Sequence, residues 1–256
     1  MPLTFLSLPF LCFFPVTALG YFCLPRRGKN LWLLLASWFF YLWARPVYLS
    51  LLLCVILASY GTGLALARRR GRGTLALCLT GLGVLLFFFK YLNFALSLAG
   101  RALGLFGLAV SMPVLDLVLP VGISFYLFQA MGYVIDVYRG RTAARRDFVT
   151  YALFLSFFPQ VVSGPIARAE QLLPQLDQPR PFQWDALRAG VFRFLWGAFK
   201  KMVLADRLAV LVNTVLAAPE SYGAVQLAGA AAAFSLQIYC GFSASSHKAL
   251  GTAGAM

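Results

Sequence analysis

Charge is scarce in this sequence, and acidic charge is the scarcest of all. Only 12% of the 256 residues are charged, just 8 are Asp or Glu, and there is a single histidine. In contrast, 61% are hydrophobic and Phe alone contributes 24 residues. A water-soluble domain could not hide that much apolar surface in its core. The composition therefore excludes an ordinary soluble protein and predicts a chain surrounded by lipid.

Long stretches of the chain contain no Asp, Glu, Lys or Arg. These uncharged runs are Leu3 to Leu24, Val47 to Ala67, Leu117 to Ile135, Phe148 to Ala167 and Ser221 to Ser246. A spanning helix needs roughly 20 mainly apolar residues, whereas transmembrane strands alternate polar and apolar positions, and that alternation is missing. We therefore predict an all-α, polytopic integral membrane protein in which residues 1–256 form one membrane domain.

The net charge of +14 comes from basic residues in short connectors between the apolar runs. This placement is typical of membrane topology signals rather than of a nucleic-acid surface, so nucleic acid is excluded as a partner. The loops Pro25 to Asn30, Arg68 to Gly73 and Arg139 to Asp147 are predicted to be cytoplasmic. Residues 31–67 must then form a hairpin, which turns near Ala44, Arg45 and Pro46 because proline breaks a helix.

Several predicted membrane segments are irregular. The first arm of the hairpin, Leu31 to Ala44, is shorter than a span requires. The run from Phe148 to Ala167 contains Pro159, Gly164 and Pro165, which break an ordinary helix. We therefore predict short, broken or re-entrant helices among the regular spans.

Two blocks place polar or conformationally special residues at membrane depth, where they are costly and often functional. Together they are predicted to line a substrate path, and their members are Pro120, Gly122, Ser124, Gln129, Gln160, Ser163, Gly164, Pro165 and Arg168. Two simpler interpretations remain open. Asp136 can pair with Arg139 at a span end, and the proline-rich run can be a kink without function.

A third block carries Lys200, Lys201 and Arg207 on an otherwise apolar helix. Cations at this depth attract phosphate-bearing donors or anionic lipid headgroups, although an interfacial anchor explains them equally well. The sequence predicts no metal site and no bound cofactor.

Read together, these blocks resemble the membrane-bound O-acyltransferase (MBOAT) family. The resemblance also includes Asn30 to Tyr41 and Phe88 to Phe94, so it covers nearly the whole chain. It is greatest for the branch containing the alginate O-acetylase membrane subunit and the teichoic-acid D-alanyl transfer protein.

The resemblance implies O-acyl transfer, commonly of acetyl, from a cytoplasmic donor such as acetyl-CoA or an acyl carrier to an exported cell-surface polysaccharide. It implies a multi-pass protein of the bacterial cytoplasmic (inner) membrane that works with periplasmic or extracellular acetylation partners. In this family a histidine acts as general base on the acceptor hydroxyl, a task that suits its ordinary pKa.

The sequence departs from the family pattern near its end. The family's catalytic histidine lies in a later Arg-Trp-His-type segment, so we expect it beyond Met256 and assign no catalytic residue here. His247 stands in a different motif, where the family favours Asp, and is not predicted to be the base. Residues 241–256 are expected to be diverged and disordered, and the chain alone is expected to be inactive.

Two other function classes remain to be compared with acyl transfer. One is a non-catalytic membrane scaffold or acyl-donor carrier, which would bind the donor without turnover. The other is a secondary transporter, which predicts similarly interrupted helices in two corresponding halves. No such internal symmetry is present in the sequence.

Overall fold

The fold was analysed in a computed structural model, which describes residues 5–44, 46–105, 115, 120, 122–161, 164–178 and 181–255. All regular elements within these residues are helical, which confirms the predicted all-α class. The α-helices are α1 (Leu8–Cys23), α2 (Arg26–Ala44), α3 (Pro46–Arg68), α4 (Arg72–Lys90), α5 (Leu92–Leu105), α6 (Ile123–Arg139), α7 (Phe148–Ser156), α8 (Phe158–Val161), α9 (Ala169–Asp177), α10 (Trp184–Phe199), α11 (Asp206–Ala217) and α12 (Ala224–Gly254). A π-helix at Lys200–Ala205 and a 3₁₀ turn at Pro219–Ser221 complete the set.

Three helices in the described part of the chain are long and apolar enough to cross a bilayer. They are α3, α4 and α12, and α1 and the α7–α8 region are shorter apolar segments. Many large apolar side chains on these helices are exposed, including Leu57, Leu77 and Val225. Exposed apolar faces of this extent require lipid around them, so the chain is a membrane protein.

Two helices flank the predicted turn of the hairpin, and the first is longer than the predicted arm. Helix α2 ends at Ala44 and α3 begins at Pro46, a position where proline is tolerated because the first helical turn needs no amide donor. At its other end, α2 begins at Arg26, inside the basic loop, rather than at Leu31. Helical geometry therefore extends into a charged segment that hydropathy alone excluded from the arm.

The predicted break in the run from Phe148 to Ala167 is confirmed. Helix α7 begins after Asp147, whose carboxylate accepts a hydrogen bond from the Val149 amide at 3.0 Å, as an N-cap residue does. It ends at Ser156, and the short helix α8 follows from Phe158 to Val161. Residues 164–168 then run without regular structure.

The helices divide into two compact units, each with its own packing. The first contains Met1–Ala36, Phe157–Pro165 and Gln178–Met256, and the second contains Ser37–Ser156 and Ile166–Asp177. The prediction of one membrane domain stays a prediction.

The second unit is centred on buried tyrosines of α6 and α7. The hydroxyl of Tyr151 donates to Ser59 Oγ at 2.7 Å, and the hydroxyl of Tyr133 accepts from the Arg145 amide at 2.9 Å. The Tyr60 hydroxyl donates to the carbonyl of Arg146 at 2.5 Å. The first bond joins α7 to α3, and the other two anchor the basic loop that follows α6 at Arg145 and Arg146.

The first unit contains an antiparallel pair of helices, α10 and α12, in close contact. A Cβ atom on Gly190 would lie 2.7 Å from the carbonyl oxygen of Gly251, and one on Gly197 would lie 2.7 Å from that of Ala244. Small residues at such a spacing let two membrane helices approach closely. The seam therefore determines which side chains of α10 and α12 share a surface.

Candidate substrate path and basic groove

The first block of predicted path residues forms the start of α6. Gly122 has φ 74°, the left-handed region that favours glycine, and its carbonyl accepts from the amides of Phe125 and Tyr126. Pro120 is buried and its carbonyl accepts from the Ile123 amide at 3.2 Å, while Ser124 is half-buried. Helix α6 begins at Ile123, and residues 117–119 and 121 of the predicted span lie outside the described residues.

Gln129 is buried and hydrogen-bonds to the last turn of α7, next to the helix break. Its Nε2 donates to the carbonyl oxygen of Phe154 at 2.9 Å. That carbonyl is one of the last four of α7, which have no partner inside their own helix. The backbone carbonyl that Gln129 caps thus explains why a polar side chain lies at membrane depth. Gln129 and the helix break together form one structural feature.

The second block forms a tight turn after α8. Gln160 Nε2 donates to the carbonyl of Pro165 at 2.6 Å, and the Gly164 amide donates to the carbonyl of Gln160 at 2.8 Å. A Cβ on Gly164 would lie 2.8 Å from the Gln160 Cα atom, so only glycine fits there. Ser163 lies outside the described residues.

The predicted path residues do not all belong to one unit. Gln160, Gly164 and Pro165 lie in the first unit, whereas those of α6 lie in the second together with Arg168. Arg168 is exposed, and its carbonyl accepts from the Gln171 and Leu172 amides at the start of α9. The substrate path therefore stays a prediction.

The predicted pairing of Asp136 with Arg139 is wrong. The carboxylate of Asp136 lies 4.0 Å from Arg141 Nη1 instead. The chain turns back at Gly140, where φ is 72° and the amide bonds to the carbonyls of Asp136 and Val137. This turn carries Arg141, rather than Arg139, to the acidic group.

Lys200 and Lys201 of the third block lie in the π-helix that connects α10 to α11, and Arg207 lies at the start of α11. Lys200 Nζ donates to Ser243 Oγ of α12 at 3.0 Å, and Lys201 pairs with Asp206 at 2.8 Å. Arg207 is exposed. Single-turn π-helices are frequent at functional sites, but two of these three cations already have partners, so they are less available to a ligand than the sequence indicated.

Sequence reasoning missed a second group of cations close to this block. Arg188, Arg193, Trp196 and His247 line a groove of about 740 Å³ between α10 and α12, together with Asp185 and aliphatic and aromatic neighbours. We refer to it as the basic groove. The two arginines are five positions apart on α10. This spacing is typical neither of ion pairs along one helix nor of a known motif. The group is recognisable only once α10 and α12 are paired.

The structure places His247 in the helix that lines this groove. Its Nδ1 donates to the carbonyl oxygen of Ser243 at 2.8 Å, since a carbonyl can only accept. The side chain is half-buried, and α12 continues past it to Gly254. Within the stretch 241–256, which we predicted to be diverged and disordered, residues 241–254 belong to α12.

Comparison with known proteins gives relatives along nearly the entire chain. It is 36% identical over 244 residues to "Probable alginate O-acetylase AlgI" of Pseudomonas putida, covering 93% of this chain and 50% of that protein. A protein of the same name from Azotobacter vinelandii is 36% identical over 255 residues, with 97% and 50% covered. The "Peptidoglycan O-acetyltransferase" of Helicobacter pylori is 31% identical over 278 residues, with 93% and 51% covered.

The chain spans about half the length of these curated relatives. No family model matches it. The similarity nevertheless extends across both units and includes every block that carried the sequence resemblance, so it does not depend on one motif.

Proposed function

Because the chain is homologous to these O-acetyltransferases and belongs to the membrane-bound O-acyltransferase family, we propose that it builds part of the bilayer domain of a polysaccharide O-acetyltransferase. The observation that carries the proposal is the similarity along 93% of the chain to enzymes named for two polymers, alginate and peptidoglycan. Both names describe acetyl transfer to a carbohydrate hydroxyl. The proposed acceptor is accordingly an exported cell-surface polysaccharide.

The proposed reaction begins with an acetyl thioester on the cytoplasmic side, either acetyl-CoA or an acyl carrier. The acceptor hydroxyl attacks the thioester carbonyl, a new C–O bond forms, and the C–S bond breaks. The hydroxyl proton passes to a general base and finally to the leaving thiolate. Donor and acceptor are on opposite sides of the membrane, so the protein must provide a path between them.

Each of two irregular segments, one in each unit, is proposed to contribute path-lining residues within its own unit. Irregular backbone at membrane depth is tolerated only where protein or a water-filled cavity surrounds it. The turn closed by Gln160 and Pro165 meets this requirement because the Gln160 side chain binds the Pro165 carbonyl. The start of α6 meets it because the Gly122 carbonyl accepts from two amides of the first helical turn. These features support a path and are absent from a plain membrane anchor.

The setting we propose is the bacterial cytoplasmic membrane, crossed several times by the chain. The basic connector after α3 and the loop after α6 would face the cytoplasm, where positive charge is retained. Acetylation partner proteins on the periplasmic or extracellular side would deliver the polysaccharide. A donor carrier that does not catalyse transfer is the competing function.

A chimera tests this proposal directly. The segment of the Pseudomonas putida protein that this chain matches would be replaced by the chain, and the acetyl content of secreted alginate would be measured in cells lacking their own copy. We expect acetylated alginate, with a loss in a Gln160→Leu chimera that inserts into the membrane equally well. A correctly inserted chimera that binds acetyl-CoA without acetylating alginate would favour the carrier.

His247→Ala in the same chimera examines the one histidine of the chain. We expect acetylation to persist, because the resemblance assigns the base to a different motif. Complete loss of acetylation with normal membrane insertion would contradict that assignment.

A further inference from the structure

We propose that the basic groove between α10 and α12 binds the phosphate of an anionic phospholipid headgroup. The groove is lined by two arginines, one histidine and a single acidic residue, Asp185. Neither Arg188 nor Arg193 forms an ion pair with any residue that the structure describes. Headgroup binding here stands apart from the acetyl-transfer proposal and holds whether or not the chain takes part in catalysis.

The chemistry of the lining suits a phosphodiester. Arginine presents a planar fork of donors that matches phosphate oxygens in bidentate geometry, and it is less strongly hydrated than lysine. His247 adds Nε2, because its Nδ1 is used by the Ser243 carbonyl. Asp185 lies in the first turn of α10, so the binding region for an anion is the part of the groove nearer Arg193 and His247.

A further cation lies beside the groove and is held in place. Lys200 Nζ is 5.6 Å from the centre of the Trp196 ring and donates to Ser243 Oγ. Ser243 therefore binds both Lys200, through its hydroxyl, and His247, through its carbonyl. This arrangement adds positive potential next to the groove, while the nearest acidic group of the π-helix region, Asp206, is paired with Lys201.

The surroundings favour a lipid over a soluble phosphate. Phe192 is 74% exposed and Trp196 is 48% exposed, and both line the groove. Val191 and Leu195 on the same helix are also exposed. In a membrane protein these side chains face acyl chains, and tryptophan is typical of the headgroup level. A ligand that brings both a phosphate and an apolar tail satisfies the arginines and the aromatic rings together.

The seam between α10 and α12 explains why the groove is open at this place. Gly197 brings the helices so close that its Cβ would lie 3.0 Å from His247 Cβ. Close approach at Gly197 brings His247 of α12 to the same groove as Trp196 of α10. The groove is consequently a product of helix packing and not of a loop conformation.

The test is binding of phosphatidylglycerol and phosphatidylcholine to the purified full chain in detergent, measured by native mass spectrometry. We expect preferential binding of phosphatidylglycerol. Each arginine replaced, in Arg188→Gln and Arg193→Gln, should weaken that binding about fivefold, the effect typical of one basic residue at an anionic surface. Arg101→Gln, which removes an exposed charge from α5 in the other unit, should leave it unchanged.

Further variants and a competitor separate the alternatives. Asp185→Asn should strengthen phosphatidylglycerol binding. The double variant Arg188→Lys, Arg193→Lys should retain the charge but lose part of the affinity for phosphatidylglycerol. These two variants also test the proposal if the glutamine variants fold poorly. Brominated phosphatidylglycerol should quench part of the fluorescence of the five tryptophans, and loss of that part in Trp196→Phe should locate the lipid. Equal binding of both lipids, unchanged affinity in the arginine variants, or full displacement by inorganic phosphate would overturn the proposal.

Discussion

Gly190 of α10 and Gly251 of α12 approach each other more closely than any pair of residues with side chains could. A Cβ on Gly251 would lie 2.6 Å from the carbonyl oxygen of Gly190, and the reverse distance is 2.7 Å. Both atoms in the way belong to the backbone, so a small rotation of a side chain cannot relieve the clash. The two helices must separate if either residue acquires a methyl group.

Gly251→Ala is therefore expected to destabilise the first unit by about 1 to 3 kcal/mol, as overpacking typically does. Thermal unfolding of the chain in detergent would measure the effect. Gly241→Ala in the same helix is the matched control, because its Cβ would meet no atom within 4 Å, and alanine favours helix by up to about 1 kcal/mol. Equal melting temperatures for the two variants would contradict the close packing.

A second close approach joins α3 to α6. A Cβ on Gly63 would lie 2.8 Å from Tyr133 Cε1 and 2.9 Å from its hydroxyl oxygen. That hydroxyl accepts from the Arg145 amide, and the guanidinium of Arg145 binds Asp177, which raises the pKa of the arginine further. Displacing the Tyr133 ring should consequently loosen the loop as well as the helix contact.

We expect Gly63→Ala to speed tryptic cleavage in the loop 140–147, which contains Arg141, Arg145 and Arg146. Gly61→Ala, two residues away on the same helix, has open space around its Cβ and should cleave at the normal rate. Limited proteolysis in detergent, followed by mass spectrometry of the fragments, distinguishes them. Unchanged cleavage in Gly63→Ala would show that the loop does not depend on Tyr133.

Tyrosine hydroxyls in the second unit offer a paired comparison. Tyr151 and Tyr126 are both fully buried, but the first donates to Ser59 while the second has no hydrogen-bond partner among the described residues. Tyr151→Phe should cost about 1 kcal/mol, the usual net value of one bond. Tyr126→Phe should be neutral or stabilising, since it removes an unsatisfied polar atom.

Thermal unfolding of the two phenylalanine variants measures this difference. If Tyr126→Phe is instead the more destabilising, its hydroxyl has a partner that the described residues do not supply. Because Tyr126 follows Ser124 on α6, Tyr126→Phe in the alginate chimera also shows whether the Tyr126 hydroxyl contributes to acetyl transfer. Loss of acetylation at unchanged stability would place this hydroxyl on the substrate path.

Local features of the sequence were sufficient to predict much of the fold. Apolar runs and proline positions act through residues close in the chain, so the long apolar helices, the start of α3 at Pro46 and the break after Ser156 could be predicted. Partners distant in the sequence could not. That Gln129 caps α7, that Asp136 meets Arg141, and that Arg193 shares a groove with His247 all depend on tertiary packing, for which the sequence contains no periodic signal.

Gln129 provides the sharpest separation of a structural role from a role in the substrate path. If its function is to cap α7, Gln129→Leu leaves the carbonyl of Phe154 unsatisfied in a buried site and should destabilise the chain by about 1 to 3 kcal/mol. Phe128→Leu, at the adjacent exposed position of α6, controls for substitution in the same helix and should have little effect. Thermal unfolding in detergent reports the capping role, and acetylation by the chimera reports the path role. A Gln129→Leu chain of normal stability that no longer supports acetylation would assign Gln129 to the path. A loss of stability, with acetylation restored at lower temperature, would assign Gln129 to the helix break. The bond from Gln129 to Phe154 predicts this second outcome.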